Sequence, residues 1–280
     1  MKITLLTHTP QPEKAIAAAW LNTGIGRSVK SLDEISDEEA KKALDETFKS
    51  HLDGVLEFAS FNLRWENVPI FLRAQLVRHR IGWGYAERSL RFYDANLEAP
   101  ADNYDWEAMP TVKDEPPQHG RTPLAGMSVR GLMQAEMQRQ MKFYELLLNE
   151  GIDQQDARNV IGVWFPTAMQ TTCTYRALRD MLALRLSSQA HSFWQKAAKD
   201  IKALITEVSP ILGEGLTDVC DIAGRCVWNS RFDRDCDDCI ARKRKVAHVH
   251  QWTRTTTLGP ETQCDCGVMK KGLISNESVA

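Results

Sequence analysis

The chain opens on "KITLLTH", an apolar-rich run that reads as a strand. "QPEKAIAAAWL" predicts a short helix, and Ser36 followed by Glu39 forms a capping-box pattern ahead of a helical "AKKALDETFKSHL". "LEFASFNLRWENV" alternates as a strand. Pro69 then stands where a helix would start, and "IFLRAQLVRHR" has helical spacing. Residues 95 to 122 are rich in Pro, Asp and Asn and read as a surface insertion. "LAGMSVRGLMQAEMQRQMKFYELLLNEG" predicts a long amphipathic helix closed by Gly151, and "DQQDARNVIG" a short one. "VWFPTAMQTTCTY" favours strand, while "RALRDMLALRL" and "AHSFWQKAAKDIKALITEVS" favour helices. Helices and strands mix without a βαβ rhythm, so the expected class is α+β. From about Cys220 the composition turns to Cys, Asp, Arg, Thr and Gly, which divides the chain into residues 1–219 and a Cys-rich extension, 220–280.

Composition narrows the classes. With 280 residues the chain can bury a sizeable core, and a net charge of -2 argues against a general nucleic-acid binder. No apolar stretch approaches a membrane span, and the first residues lack a signal-peptide core, so a cytoplasmic location is expected. Seven cysteines, six of them after residue 219, argue for metal or free thiols over a disulfide framework. No Gly-rich phosphate loop of Rossmann or Walker type occurs.

The candidate chemistry lies in "RHRIGWGYAERSLRFYD", residues 78–94, with four arginines in seventeen positions. Arg78, His79 and Arg80 are consecutive and point in different directions, so the stretch offers cations to more than one site or subunit. Guanidinium groups suit bidentate capture of phosphate. A solvated basic helix end, favoured by the helix dipole, is the plainer reading of three such residues. The company of "ERSLRFY" and of later arginines weighs against it.

This stretch resembles the signature of the flavin-dependent thymidylate synthases: Arg-His-Arg, a short spacer, then Asn-Glu-x-Ser-x-Arg-Tyr. Arg78, His79 and Arg80 match the first part; Glu87, Ser89 and Arg91, with Leu90 between the last two, match the second. "HLDGVLEFASF" resembles a further block and keeps His51 and Glu57. Gln75 stands before the motif, Arg158 lies in "DARNVIG", and Arg176 and Arg185 are in register in "TYRALRDMLALRL". The resemblance implies a mixed sheet flanked by helices, a homotetramer with active sites at subunit interfaces, FAD, and methylenetetrahydrofolate as one-carbon donor to a pyrimidine deoxynucleoside monophosphate. It implies that Arg78, His79, Arg80, His51, Glu57, Glu87 and Arg176 serve the flavin. Gln75, Arg78, Glu87, Ser89, Leu90, Arg91, Arg158 and Arg185 would hold the nucleotide. Arg185, with Asp180 and Ser89, would act at the reacting base, Arg185 by stabilising the negative charge that develops there.

The departures from the family pattern bear on substrate and product. One extra residue follows Arg80; Ala86 replaces the Asn before Glu87, and Phe58 the His after Glu57. Thr174 and Asp180 replace two Asn, and Ala190-His191-Ser192-Phe193 replaces an Ala-Gln-x-Glu. The outer arginines stay while neutral amides go, which reads as retuning. A carboxylate only accepts hydrogen bonds, whereas an Asn both donates and accepts. Asp180 near the base would therefore favour the cytosine amino group, making dCMP the favoured substrate and dUMP the alternative. A salt bridge to Arg176, four residues earlier, is the other reading of Asp180. The transferred methylene is at the formaldehyde level. Methylation needs two more electrons, from NADPH through the flavin; quenching with water gives hydroxymethyl with none. Such products suit a viral DNA-modification setting. A non-catalytic nucleotide- or nucleic-acid-binding protein that kept the arginines is the alternative of another class.

In the extension, Cys236-Asp-Asp-Cys239 and Cys264-Asp-Cys266 form two close thiol pairs separated by 24 residues. That spacing suits a tetrahedral zinc site with four cysteine ligands, with Cys226, His248 and His250 as substitutes. The "RKRK" run at 242–245 reads as a solvated loop, with contact to nucleic acid as the alternative. On this expectation Cys239→Ser releases metal and loosens residues 226–270 while residues 1–219 still assemble. Metal content by atomic emission checks this; equal content in parent and variant removes the four-cysteine assignment.

Overall fold

The structure is a computed structural model. It describes residues 1–23, 29–89, 104–110, 112, 114–115, 127–187 and 189–223, and the backbone of 262–263 and 269–270. The chain forms two compact units, Met1–Asp218 and Val219–Ala280. In the second unit the described elements are a short helix, Val219–Ala223, and an antiparallel pairing of Thr262–Gln263 with Met269–Lys270.

Among the described residues the first unit is built on four strands: β1 (Lys2–His8), β2 (Ser60–Pro69), β3 (Trp83–Glu87) and β4 (Pro166–Thr174). They lie in the order β1-β2-β4-β3, and every pairing is antiparallel. The α+β expectation holds, but the expected mixed sheet is corrected to an antiparallel one. Parallel neighbours need a crossover between adjacent strands. Here β2 and β3 run the same way but stand on opposite sides of β4, so they never pair. Strict alternation gives the sheet one apolar face. On β2, Phe61, Leu63 and Trp65 are buried between the partly exposed Asn62 and exposed Arg64; on β4, Met169, Thr171 and Cys173 are buried between Gln170 and Thr172.

Helices α1 (Pro12–Asn22), α2 (Asp37–Ser50), α6 (Tyr175–Arg185) and α7 (Ser192–Val208) pack the core, whose fully buried members include Leu44, Leu178, Met181, Phe193, Trp194 and Ile201. Each such side chain contributes roughly 1.5–3 kcal/mol when fully buried. The predicted capping box closes on α2: Ser36 Oγ accepts the Glu39 N–H at 3.2 Å and the Glu39 carboxylate accepts the Ser36 N–H at 3.2 Å. The predicted long helix is α4 (Val129–Asn149), opened by Ser128 Oγ accepting the Gly131 N–H at 3.0 Å. The short helix α5 (Gln154–Ala157) runs into a 3-10 turn over Arg158–Val160. A further short helix, α8 (Pro210–Gly215), was not expected from the pattern.

Three expectations change where the site is built. First, α3 (Ile70–Leu76) starts at Pro69 as expected but stops after two turns, and the Arg78 and His79 N–H groups fold back on the carbonyls of Gln75 and Leu76 at 3.3 and 3.0 Å. Arg78 to Arg80 are therefore not helical. Second, the stretch after Gly82 is a strand, β3, paired from Trp83↔Cys173 to Glu87↔Met169. Two glycines in a short run look like turn punctuation; Gly82, at φ +71°, does turn the chain, whereas Gly84 lies flat in the ladder against Thr172. Third, the stretch read as a surface insertion reaches the core. Tyr104 and Ala108 are buried, and Asp105 takes the Lys196 ammonium at 2.5 Å and the Met1 amine at 3.1 Å.

Gly82 also sits where a Cβ would come within 2.8 Å of both Ala177 Cβ and Thr174 Oγ1. Gly82→Ala is expected to lose about 1–3 kcal/mol in urea unfolding, from positive φ and steric displacement together. Gly54→Ala, with open space around its Cβ, serves as the near-neutral control.

Candidate active site

The arginine motif hangs between the end of α3 and the edge strand β3. The Tyr85 hydroxyl, on β3, is shared between the carbonyls of Leu76 at 2.8 Å and His79 at 2.5 Å, so it staples the turn to the strand. Burial pushes the Tyr85 phenol above its ordinary range, which keeps this donor protonated. Arg73 on α3 pairs with Glu87 on β3 through both nitrogens of its fork. Glu87 is thus committed to a structural clamp in this arrangement. Trp83 stacks on Tyr85 with centroids 6.0 Å apart and an interplanar angle of 8°.

At the centre stands Arg185, the last residue of α6. Its guanidinium lies 4.7 Å above the Trp194 ring, a cation–π contact worth roughly 0.5–2 kcal/mol. One terminal nitrogen faces His79 Nε2 at 3.5 Å, which places a proton on the arginine side and leaves the imidazole Nε2 as acceptor. Burial lowers the Arg185 pKa, although guanidinium groups remain charged at neutral pH. Its Nε is buried without a hydrogen-bond partner among the described residues. Burial, and then the charge of Arg185, push His79 below the ordinary histidine range. Gln75 joins the group through its Oε1, which accepts the Trp194 indole N–H at 2.8 Å.

On the outer side of α6, Arg176 donates to Glu57 at 2.7 Å and Arg179 to Asp53 at 3.4 Å, while the Arg179 guanidinium lies 4.6 Å from the Phe48 ring centroid. Arg176 is therefore taken by Glu57 and does not form the expected alternative bridge with Asp180. The exposed Asp180 carboxyl is raised by desolvation against the opposing pull of Arg179 and Arg176. His51 is the exposed, left-handed cap of α2, at φ 56°.

The structure thus brings together Gln75, His79 and Arg185, and separately Glu57, Arg176 and Asp180. Arg78 and Arg80 are exposed beside His79, with no carboxylate partner among the described residues. Arg158 opens the 3-10 turn after α5, beside the buried cluster of Tyr144, Ala157 and Phe165, and is not joined to the Arg185 group. Ser89 is exposed just past β3. Leu90, Arg91, Cys236, Cys239, Cys264 and Cys266 lie outside the described residues. Among the described residues no cluster of His, Cys, Asp or Glu is arranged to hold a metal ion. A cavity of about 490 Å³ opens at the far end of the sheet, lined by Arg64, Asn67, Arg88, Tyr104 and Phe193 among others, and shares no residue with the Arg185 group. Sequence reading missed Trp194, Tyr85 and Arg73. An aromatic spaced nine residues after Arg185 was the available signal for the first, but its ring placement depends on where α7 packs.

Arginines in the turn ahead of β3, beside a half-buried arginine with no carboxylate partner among the described residues, form a cationic cluster on an α+β scaffold, and guanidinium groups suit ligands rich in acceptor oxygens. The chain belongs to the family described as thymidylate synthase complementing protein, whose profile matches residues 4–211. It is 27% identical over 216 residues to a flavin-dependent thymidylate synthase of Geobacter sulfurreducens, covering 76% of this chain and 85% of that one. The enzyme of the same name from Sulfurisphaera tokodaii is 25% identical over 280 residues, covering 98% and 95%. Among solved structures, the fold is similar to that of a UMP/dUMP methylase, PolB, from Streptomyces cacaoi bound with 5-Br dUMP, at a TM-score of 0.58 and 19% identity over 76% of this chain and 93% of that one.

The His79 geometry carries a pH consequence. Its folded pKa is depressed, so the folded state takes up this proton less readily than the unfolded chain does. Stability is unaffected above the ordinary histidine value, about 6.5, and falls as pH drops below it. His191, lowered by burial, contributes in the same window. His79→Gln is expected to flatten part of the decline in melting temperature between about pH 7 and 5. An unchanged slope contradicts this reading.

Proposed function

We propose that the protein transfers a one-carbon unit from methylenetetrahydrofolate to C5 of a pyrimidine deoxynucleoside monophosphate, with FAD as cofactor. The observation that carries this reading is Arg185: a half-buried guanidinium held on an aromatic face, with His79 and Gln75 beside it. When C5 of the base becomes the nucleophile, negative charge spreads onto the ring carbonyl, and a fixed cation lowers that barrier without reorganising. The exposed Arg78 and Arg80 supply the kind of donors that flavin phosphates need, and Ser89, Arg91 and Arg158 those for the nucleotide's phosphate and sugar. Since Arg158 stands apart from Arg185 within one copy, a second copy in a homotetramer would deliver it. Glu87 and Arg176 take part through their pairings with Arg73 and Glu57, at the margin of the site.

When bound, the flavin supplies the two electrons drawn from NADPH that convert a methylene into a methyl group; hydroxymethylation needs none. For the base we favour dCMP. Asp180 is exposed on α6 and Arg176 is paired with Glu57, so its carboxylate is left to accept from an amino group. The reading with dUMP as substrate and dTMP as product is supported by the names of the relatives.

The test is incubation with labelled methylenetetrahydrofolate and either dUMP or dCMP, with and without NADPH, identifying the product by mass. Labelled product from neither nucleotide, with no flavin retained on purification, points to the binding-protein alternative. Asp180→Asn is expected to shift the dCMP-to-dUMP activity ratio by on the order of 10-fold towards dUMP, because a polar group that the bound base covers and leaves unpaired costs roughly 1–3 kcal/mol. A ratio that does not move removes the case for cytosine.

A further inference from the structure

Trp194 is fully buried on α7 and touches two of the groups assigned above to the nucleotide. Its indole N–H, which can only donate, meets Gln75 Oε1 at 2.8 Å and so fixes which way the amide points. Its ring carries the Arg185 guanidinium at 4.7 Å. The ring is itself wedged edge-on against Trp65, centroids 6.4 Å apart, and the Trp65 indole donates to the buried Thr171 at 3.0 Å. The chain of contact therefore runs from the sheet, through two tryptophans, to the arginine.

We propose that Trp194 is a positioning residue that locks Gln75 and Arg185 into one unit presenting only hydrogen-bond donors to an oxygen of the bound nucleotide. This rests on the function proposed above. A carboxylate would also fix Arg185, but it would cancel the charge and occupy the fork. An aromatic face attracts the cation perpendicular to the guanidinium plane, leaving the in-plane N–H groups for the ligand. Likewise, with Oε1 of Gln75 turned to the indole, the amide directs its NH2 donors away from Trp194. The partner that fits such a surface is a carbonyl or phosphate oxygen, and an amino group does not fit it.

His79 reports on this arrangement, since Arg185 faces its Nε2 at 3.5 Å. Also around it are Arg78 and Arg80 in the chain, the Tyr85 hydroxyl on its carbonyl, and the Trp83 ring with its centroid 6.5 Å away.

The experiment compares Trp194→Phe, which keeps an aromatic face but loses the N–H, with Trp194→Leu, which loses both. The readouts are the His79 titration by NMR in the ligand-free protein, and dUMP and dCMP affinity by calorimetry. Trp194→Phe should leave the His79 titration at the parent's position and weaken nucleotide binding a few-fold, because Gln75 is free to flip. Trp194→Leu should move the His79 titration towards the ordinary histidine value as Arg185 leaves, and weaken binding by on the order of a further ten-fold. An unmoved titration in Trp194→Leu overturns the proposal. So does a shift in Trp194→Phe as large as in Trp194→Leu. If Trp194→Leu does not fold, Trp194→Phe still decides, since a moved titration there shows that an aromatic face is not what holds Arg185. A parent that binds neither nucleotide overturns the proposed function instead, and the His79 titration still judges the link between Trp194 and Arg185.

Discussion

The pairing of β3 with β4 is the constraint on which the site depends. Chain leaving β2 at Pro69 has to cross β4 and return on its far side, and it does so within the α3 helix and one glycine turn. The five register pairs from Trp83↔Cys173 to Glu87↔Met169 fix where that return begins and ends. They place Gly82 against the first turn of α6, where its carbonyl accepts the Thr174 N–H at 3.0 Å. The Arg-His-Arg run is thereby suspended between two anchored points. Arg78 and Arg80 stand exposed there, and His79 between them turns to Arg185.

A second level of order comes from how charge is handled. Arginines at the margin of the site are matched with carboxylates: Arg73 with Glu87, Arg176 with Glu57, Arg179 with Asp53. Exposed pairs of this kind contribute little to stability, with a median near 0–1 kcal/mol, so their main effect is to fix geometry. Arg185 is handled differently. It is half-buried, it rests on an indole, and it faces a histidine whose pKa burial and the arginine itself lower. Positive charge is spent on structure at the rim and kept available at the centre. That contrast, more than the number of arginines, separates this site from a solvated basic surface.

Much of the scaffold was legible from periodicity alone. β2 and β4 alternate because one sheet face is buried, α2 and α7 carry apolar stripes, and α2 opens on a recognisable capping box. What escaped notice was fixed by tertiary context. β3 contains Gly84 and Ala86, residues with weak strand preference, and is a strand because β4 offers it a ladder. The segment around Tyr104 reads as polar loop, yet its aromatic ring is buried against Phe193. In the site, motif reading found Gln75, His79 and Arg185 but not Trp194: an aromatic nine residues past Arg185 is a weak signal, and where its ring lies is set by the packing of α7. Asp180 and Arg176 invited a bridge by their four-residue spacing; Glu57, distant in sequence, took the arginine first.

The sheet order has a consequence for the timing of synthesis. Phe61 of β2 finds Cys173 of β4 across more than a hundred residues, and β3 must wait for the same strand. A chain that leaves the ribosome N-terminus first, at roughly 5–20 residues per second, exposes the arginine motif for on the order of ten seconds before β4 and α6 follow it. During that interval α3 and β3 have no ladder and no Trp194 or Arg185 to pack against. The segment that carries most of the family's signature is therefore among the last parts of the unit to acquire its native shape, and the nascent chain's apolar β2 remains open to wrong partners until Thr174 has emerged.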